Sequence, residues 1–535
     1  MNVKILDCTL RDGAYIVDGK FGEKSIIGIL NHLQNARVDI VECGWLKNNK
    51  HISGSTYYNV PCDIENYIIN GKDSKVIYTA MIDYNRYDLE QLPICDGKSV
   101  DAIRIVFPQD KVSEGLKLVN QIRDKGYKVY LQAANTYGYS EKELLELVNE
   151  VNNYDVEALS IVDTFGTMYK SDLFRILDIL DNNLRKEIAI GFHSHNNKQL
   201  SFSLSMDFVE ELFTRGKRDC IIDSSLCGMG RGAGNTPTEL MISYLNKRFN
   251  TNYDENTIMD VIDMYMQHFM EKYKWGYSVP YMLAGTYVCH VNNVAYLMKT
   301  HRACAKDMKN VFENMSLEKR RTYDYDYLEQ VYADVENKQI DDKLCKEILK
   351  KALRGREIVI VVPGVSAGKE QKMVSKYVSD NDVITIGINS VIEDYKYDYA
   401  FFSNSMKYTL ALNVLEKAAN KTTIITTSNI DGKQNLIVNY NDLVRRKWKY
   451  YENSLMMFLE LMIYIRPAKI NFVGFDGFEK CEQYYAEEIL EPIEDFDEID
   501  ILQSNVVEMF QDFVKRNQGQ IELCFLTHSL FEKYI

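Results

Sequence analysis

Two histidines one residue apart, His193 and His195 in Gly191-Phe-His-Ser-His-Asn-Asn197, have the type and spacing of a metal-binding pair. Residues i and i+2 of a strand point to the same side, so the two imidazoles project together, as a divalent ion requires. Only eight histidines occur in the 535 residues, and two of them fall here. A second signal is Asp7-Cys-Thr-Leu-Arg-Asp-Gly13, in which Asp12 offers a carboxylate ligand and Arg11 a permanent cation for a developing oxyanion. The third is the glycine-rich run Gly228–Glu239, whose Asn235 could add a neutral ligand. Its Thr236 and Pro237 suit the N-cap and first position of a following helix. Two histidines and one carboxylate leave coordination positions open for substrate oxygens.

These residues must be brought together by the elements that carry them. The first 245 residues alternate β-rich runs with amphipathic stretches such as Glu141–Asn152 and Lys170–Asn182. Strands are expected at Val3–Leu10, Val38–Cys43, Val76–Ile82, Ala102–Phe107, Lys128–Ala133, Ala158–Val162, Ile188–His195 and Cys220–Ser224. Eight parallel βα units of this length predict a (β/α)8 TIM barrel, whose first and seventh strands open onto the same mouth. No Gly-x-Gly-x-x-Gly follows the first strand, which disfavours an open doubly wound sheet. Residues 1–249 are therefore read as the barrel and 250–354 as a helical region, with helices at Glu255–Tyr273 and Asp341–Leu353. Residues 355–535 are read as a smaller Rossmann-like α/β domain. Its strands are expected at Arg356–Pro363, Val383–Ile388, Tyr399–Phe402, Thr422–Thr426, Lys469–Val473 and Ile521–Phe525. The acidic stretch Ala486–Asp500 reads as a solvated loop or helix face.

Composition excludes several classes. The formal net charge is −14, which opposes binding to nucleic acid through phosphate neutralisation. Mean hydropathy is −0.29, and no apolar run approaches the roughly 18 residues of a membrane span. Eleven cysteines without a Cys-x-x-Cys pair fit reduced thiols in a cytoplasm. A cytoplasmic homo-oligomer is expected.

The three motifs, in this order at these strand ends, resemble the DRE-TIM metallolyase superfamily. Asp163-Thr164-Phe165-Gly166 is similar to the family's Asp-Thr-x-Gly turn, and Gly232-Ala-Gly-Asn235 resembles the segment of 4-hydroxy-2-oxovalerate aldolases. The resemblance implies Mn or Mg held by Asp12, His193 and His195, with Arg11 stabilising an enolate. It also places Glu42, Asp163, Thr164, Gly232 and Gly234 at the substrate. One departure stands out: the aldolases carry a catalytic histidine three residues after the metal-binding aspartate, and this chain has Tyr15. Tyr15 itself, His290 or Tyr287 could take the proton role. The expected activity is metal-dependent carbon–carbon lyase or aldolase chemistry on a 2-oxo acid and an aldehyde, possible within carbohydrate or surface-polysaccharide biosynthesis. An acyl-CoA Claisen synthase is the nearest alternative, although the glutamate of the synthases' first motif is missing. A third reading makes the C-terminal domain a nucleotide-sugar transferase and the barrel its platform.

In the C-terminal domain, Gly364-Val-Ser-Ala-Gly-Lys369 follows a buried strand. It fails the P-loop pattern and reads as a phosphate-cradling turn. Together with Val473-Gly-Phe-Asp-Gly477 it loosely resembles sialyltransferase-like and MptE-like domains. That resemblance implies a nucleotide or nucleotide-sugar partner near Gly364, Ser366, Gly368 and Asp476.

Overall fold

The computed structural model describes residues 2–535 except 70, 217, 302, 393–394, 416–421, 433–435, 479–484 and 487–495. Most of the acidic stretch Ala486–Asp500 thus lies outside the described residues. The chain divides into two units, Met1–Val294 with Ser316–Tyr323, and Ala295–Met315 with Asp324–Ile535. The helical stretch after residue 250 is shared between them. Among the described residues no helix is long and apolar enough to cross a membrane.

The first unit is built on nine parallel strands: β1 (Val3–Asp7), β2 (Ile40–Leu46), β3 (Tyr57–Tyr58), β4 (Ile77–Asp83), β5 (Ala102–Phe107), β6 (Lys128–Ala133), β7 (Ala158–Asp163), β8 (Ala189–Ser194) and β9 (Cys220–Ser224). Eight of them close into a barrel, because β1 pairs with both β9 and β2; the two-residue β3 lies outside the ring on β2. Each strand is buried along nearly its whole length, as strands sandwiched between an inner core and covering helices must be. The helices cover it with one apolar stripe each. Glu141–Val151, for example, starts at a Ser140/Glu143 capping box and buries Leu144, Leu147, Val148 and Val151.

Side chains two residues apart stack in layers inside the ring. Leu6, Ile40, Ala102, Tyr130, Ala158, Ala189 and Ile221 form one apolar cluster. Two residues further along, toward the C-terminal ends of the strands, the same faces present Cys8, Glu42, Arg104, Gln132, Ser160 and Asp223, all buried. The barrel interior thus turns from apolar to ionic in a single layer step, and the site stands on the ionic layer.

Several expected boundaries move. β1 stops at Asp7 rather than Leu10, because the amides of Arg11 and Asp12 bond back to the Cys8 carbonyl and wind Thr9–Asp12 into a helical turn. The helix after the glycine-rich run starts at Thr238, not at Thr236. Residues 235–237 are held extended by bridges of Asn235 to His195 and of Pro237 to Ser225. The helix expected over Glu255–Tyr273 is interrupted by a π-helical segment, Ile262–Met266.

The second unit holds seven parallel strands, β10 (Glu357–Val361), β11 (Val383–Ile388), β12 (Tyr399–Phe402), β13 (Thr423–Thr427), β14 (Leu436–Val438), β15 (Lys469–Val473) and β16 (Glu522–Phe525). Their order is β14-β13-β12-β11-β10-β15-β16, so the winding direction reverses between β10 and β15. Three-residue β14 is too short for periodicity to reveal.

Candidate metal centre

Asp12, His193 and His195 are all buried, and their donor atoms lie within 4.8 Å of one another. Each comes from a different local device. His193 is an inward residue of β8, the helical turn after β1 lifts Asp12 over the barrel end, and the bridge to Asn235 pins His195 just past β8. The two imidazole rings stand nearly perpendicular, 85° apart, with centroids separated by 5.1 Å. The Gly234 carbonyl lies 3.3 Å from His195 Nδ1, and the same nitrogen is 4.0 Å from Asp12 Oδ2. Asn235 joins them: its Nδ2 donates to Asp12 Oδ2 at 2.7 Å, and its buried Oδ1 has no partner among the described residues. Gly230 packs flat against this pair, where any Cβ would collide with Asn235 Nδ2 and Asp12 Oδ2.

Beneath the triad runs a chain of buried charges. Arg11 donates from Nε to Glu42 at 2.7 Å and from Nη1 to Asp12 at 2.6 Å. Arg104 Nη1 lies 2.9 Å from the same Glu42 oxygen, and Arg104 Nη2 donates to Asp223. Asp223 Oδ2 in turn lies 3.1 Å from His193 Nδ1, the carboxylate–histidine arrangement that orients a metal-binding imidazole. Burial opposes the charge on Asp12, but Arg11 and the two histidines outweigh it and hold the carboxyl well below the usual range. Burial pushes His195 down to about 4, so the ring is neutral and its lone pair available.

Other expected site residues take varied places. Glu42 is fully buried between Arg11 and Arg104. Asp163, pushed up to about 6 by burial, accepts the amides of Thr167 and Met168; the Thr164 hydroxyl accepts the Asn135 amide at 2.7 Å. Gly232 and Gly234 belong to a loop clamped by Asn197, which accepts from the Ala233 amide and donates to the Phe165 carbonyl.

Tyr15, 41% exposed, and His290 sit at the mouth. The amide of Asn292 donates to His290 Nδ1 at 3.1 Å, and Arg231 Nη1 lies 3.3 Å from Nε2; burial and Arg231 push this ring down to about 3. Three contributors were absent from the sequence reading: Arg104, Asp223 and Arg231. A lone charge inside an apolar parallel strand, as in Ile103-Arg104-Ile105 and Ile221-Ile222-Asp223, is the signal that marks the first two.

In the second unit a cavity of about 720 Å³ opens at the C-terminal ends of β10, β11, β12 and β15, with Gly364, Asn389, Ser403 and Asp476 in its wall. Asp476 accepts the Ser366 amide at 2.8 Å and also its hydroxyl. A carboxylate therefore already occupies the turn read as a phosphate cradle. Gly364 packs against Gly474, whose carbonyl a Cβ would strike, and Gly368 lies against Ala486.

Residues 108–264 match the family model described as HMGL-like. That part of the barrel is similar to the HMGL-like family. Over 252 residues the chain is 24% identical to an oxaloacetate decarboxylase of Mycobacterium tuberculosis, a match covering 46% of this chain and 70% of the relative. Over 277 residues it is 26% identical to a 4-hydroxy-2-oxovalerate aldolase of Pectobacterium atrosepticum, covering 49% and 76%. The structure of an HMG-CoA lyase from Brucella melitensis aligns with a TM-score of 0.40 and 14% identity, over 50% of this chain and 99% of that one.

Proposed function

We propose that the HMGL-like barrel is a divalent-metal-dependent carbon–carbon lyase or aldolase that works on a 2-oxo acid, with Mn or Mg as its metal. The observation that carries this reading is the buried Asp12–His193–His195 triad with Arg11 locked beside it. The donor set suits a dication: one carboxylate held ionised, two imidazoles and the unpartnered Asn235 oxygen. When bound, the ion would supply Lewis-acid polarisation of the donor's 2-oxo oxygen. Arg11, fixed by two carboxylates, is a cation already oriented for the oxygen that gains charge on enolisation. His290 is a neutral imidazole at the mouth, a group that can exchange a proton with the substrate. The relatives' names, an oxaloacetate decarboxylase and aldolases of a hydroxy-oxo acid, support 2-oxo acid chemistry.

The deciding experiment is deuterium exchange at C3 of pyruvate in D₂O, with the full chain stripped of metal by a chelator and then given Mn²⁺ or Mg²⁺. Exchange is expected with metal and not without it. No metal-dependent exchange would remove the reading.

A separate observation favours a ligand role for the second unit. Open parallel sheets bind ligands outside the carboxyl ends of their strands where the winding reverses, and the cavity lies at the β10/β15 reversal. A nucleotide or nucleotide sugar held there would place its phosphates away from the Ser366 amide, which Asp476 occupies.

A further inference from the structure

Two arginines face the metal centre, and only one of them is neutralised. Arg11 is gripped by Glu42 and Asp12. Arg231 forms no ion pair with a carboxylate among the described residues. Its guanidinium lies over the face of the Tyr15 ring, 3.7 Å from the centroid, and Nη1 is 3.3 Å from His290 Nε2. Neither neighbour cancels the charge. A ring face leaves the edge N–H groups of a guanidinium free to form a paired bond to a carboxylate or phosphate.

The position of Arg231 is tied to the chemistry. It follows Gly230, whose backbone is pressed against Asp12 and Asn235, and it precedes the segment that delivers Asn235 to the site.

The charges also count toward one answer. In the buried chain three carboxylates, Asp12, Glu42 and Asp223, meet two guanidiniums, Arg11 and Arg104, leaving one negative charge. A dication turns that into one positive charge, which the carboxylate of a 2-oxo acid cancels. The charge on Arg231 remains.

Resting on the reading proposed above, we infer that Arg231 binds an anionic group on the acceptor, so that the barrel joins its 2-oxo acid to an aldehyde bearing a carboxylate or a phosphate. In that step the donor's C3 gives a proton to solvent and bonds to the aldehyde carbon; the aldehyde oxygen receives a proton. Tyr15 braces the guanidinium that reads the acceptor.

The test compares kcat/KM for propanal, succinic semialdehyde and glyceraldehyde 3-phosphate, each with pyruvate and the metal-loaded full chain. One of the anionic aldehydes is expected to exceed propanal by about tenfold or more, as a charge-assisted pair would give. Which one wins identifies the anion. Arg231→Gln should bring that ratio close to one through a higher KM for the anionic aldehyde, and Arg231→Lys should restore part of it. A second readout needs no turnover: phenylglyoxal should label Arg231, and inorganic phosphate or acetate should protect it. Equal use of charged and uncharged aldehydes, a preference that survives Arg231→Gln, or labelling that neither anion slows would overturn the inference. Pyruvate exchange measured without any aldehyde separates the two failures, because its absence defeats the underlying reading and its presence leaves only Arg231 in question.

Discussion

Arg104 donates to Asp223 in the middle of the barrel, and through that carboxylate it reaches His193. On its other side the same guanidinium lies 2.9 Å from Glu42, which holds Arg11 and, beyond it, Asp12. A single side chain with no exposed surface therefore supports two of the three candidate ligands. Charges this deep persist only when paired, so the chain stands or falls as a unit.

Replacing Arg104 by Met should leave Asp223 as a buried carboxylate without its guanidinium and Glu42 with Arg11 alone. Removing one partner of such a pair costs about 3–5 kcal/mol. Urea unfolding followed by circular dichroism measures this. A loss under 1 kcal/mol would show that the chain is not a stabilising unit. Arg104→Lys keeps the charge but cannot span both carboxylates. Metal affinity in that variant should fall about 10- to 100-fold, as it does when outer-shell partners are lost.

The metal ligands themselves make a sharper prediction. The intact chain should retain about one Mn²⁺ per molecule after dialysis, measured by inductively coupled plasma mass spectrometry, because the triad is a single site. The His193→Ala/His195→Ala double variant should retain none while keeping its circular dichroism spectrum. Metal retained by the double variant at full occupancy would place the site elsewhere.

The barrel was legible because its strands are short apolar runs at βα spacing, and the His193/His195 pair because strand alternation needs no tertiary information. The helical turn carrying Asp12 was not legible. Asp7-Cys-Thr-Leu continues the pattern of β1, and only the backbone bonds to Cys8 bend it away. The partnership of Arg104 with Asp223 joins residues 119 positions apart, a pairing that ring closure alone dictates. Long range also misled at Gly364. A glycine-rich turn after a buried strand has the pattern of a phosphate site, yet Asp476, 110 residues after Ser366, fills it. The isolated motif carries no trace of that carboxylate.

Arg11→Lys should keep the metal and lose turnover. Lysine retains a positive charge but cannot donate at once to Glu42, to Asp12 and to an enolate oxygen. Pyruvate C3 exchange should drop by about 10²-fold or more, the usual cost of an oxyanion donor. Exchange within a factor of three of the parent, with metal bound, would remove Arg11 from the chemistry.

The second unit should be less stable in alkali, for reasons seen at His301 and Glu336. His301 lies 2.8 Å from Glu329 and 3.4 Å from Glu452, and its ring stacks on Tyr332. Burial opposes its charge, but the two carboxylates prevail and push the imidazole up to about 9. Burial likewise pushes Glu336, hydrogen-bonded to Asn429, up to about 8. Both groups bind their proton more tightly in the folded state, so both favour folding at low pH. The Glu336 contribution is complete below about 4.5 and is lost as pH rises through 8; that of His301 is complete below about 6.5 and is lost through 9. The melting temperature reported by Trp448, the tryptophan of this unit, should therefore fall steadily from pH 6 to 9.5 in a Trp45→Phe/Trp275→Phe background. Glu336→Gln should flatten the lower part of that slope and His301→Gln the upper part. A Trp448 transition that is level or rises across this range would mean that neither proton is linked to folding.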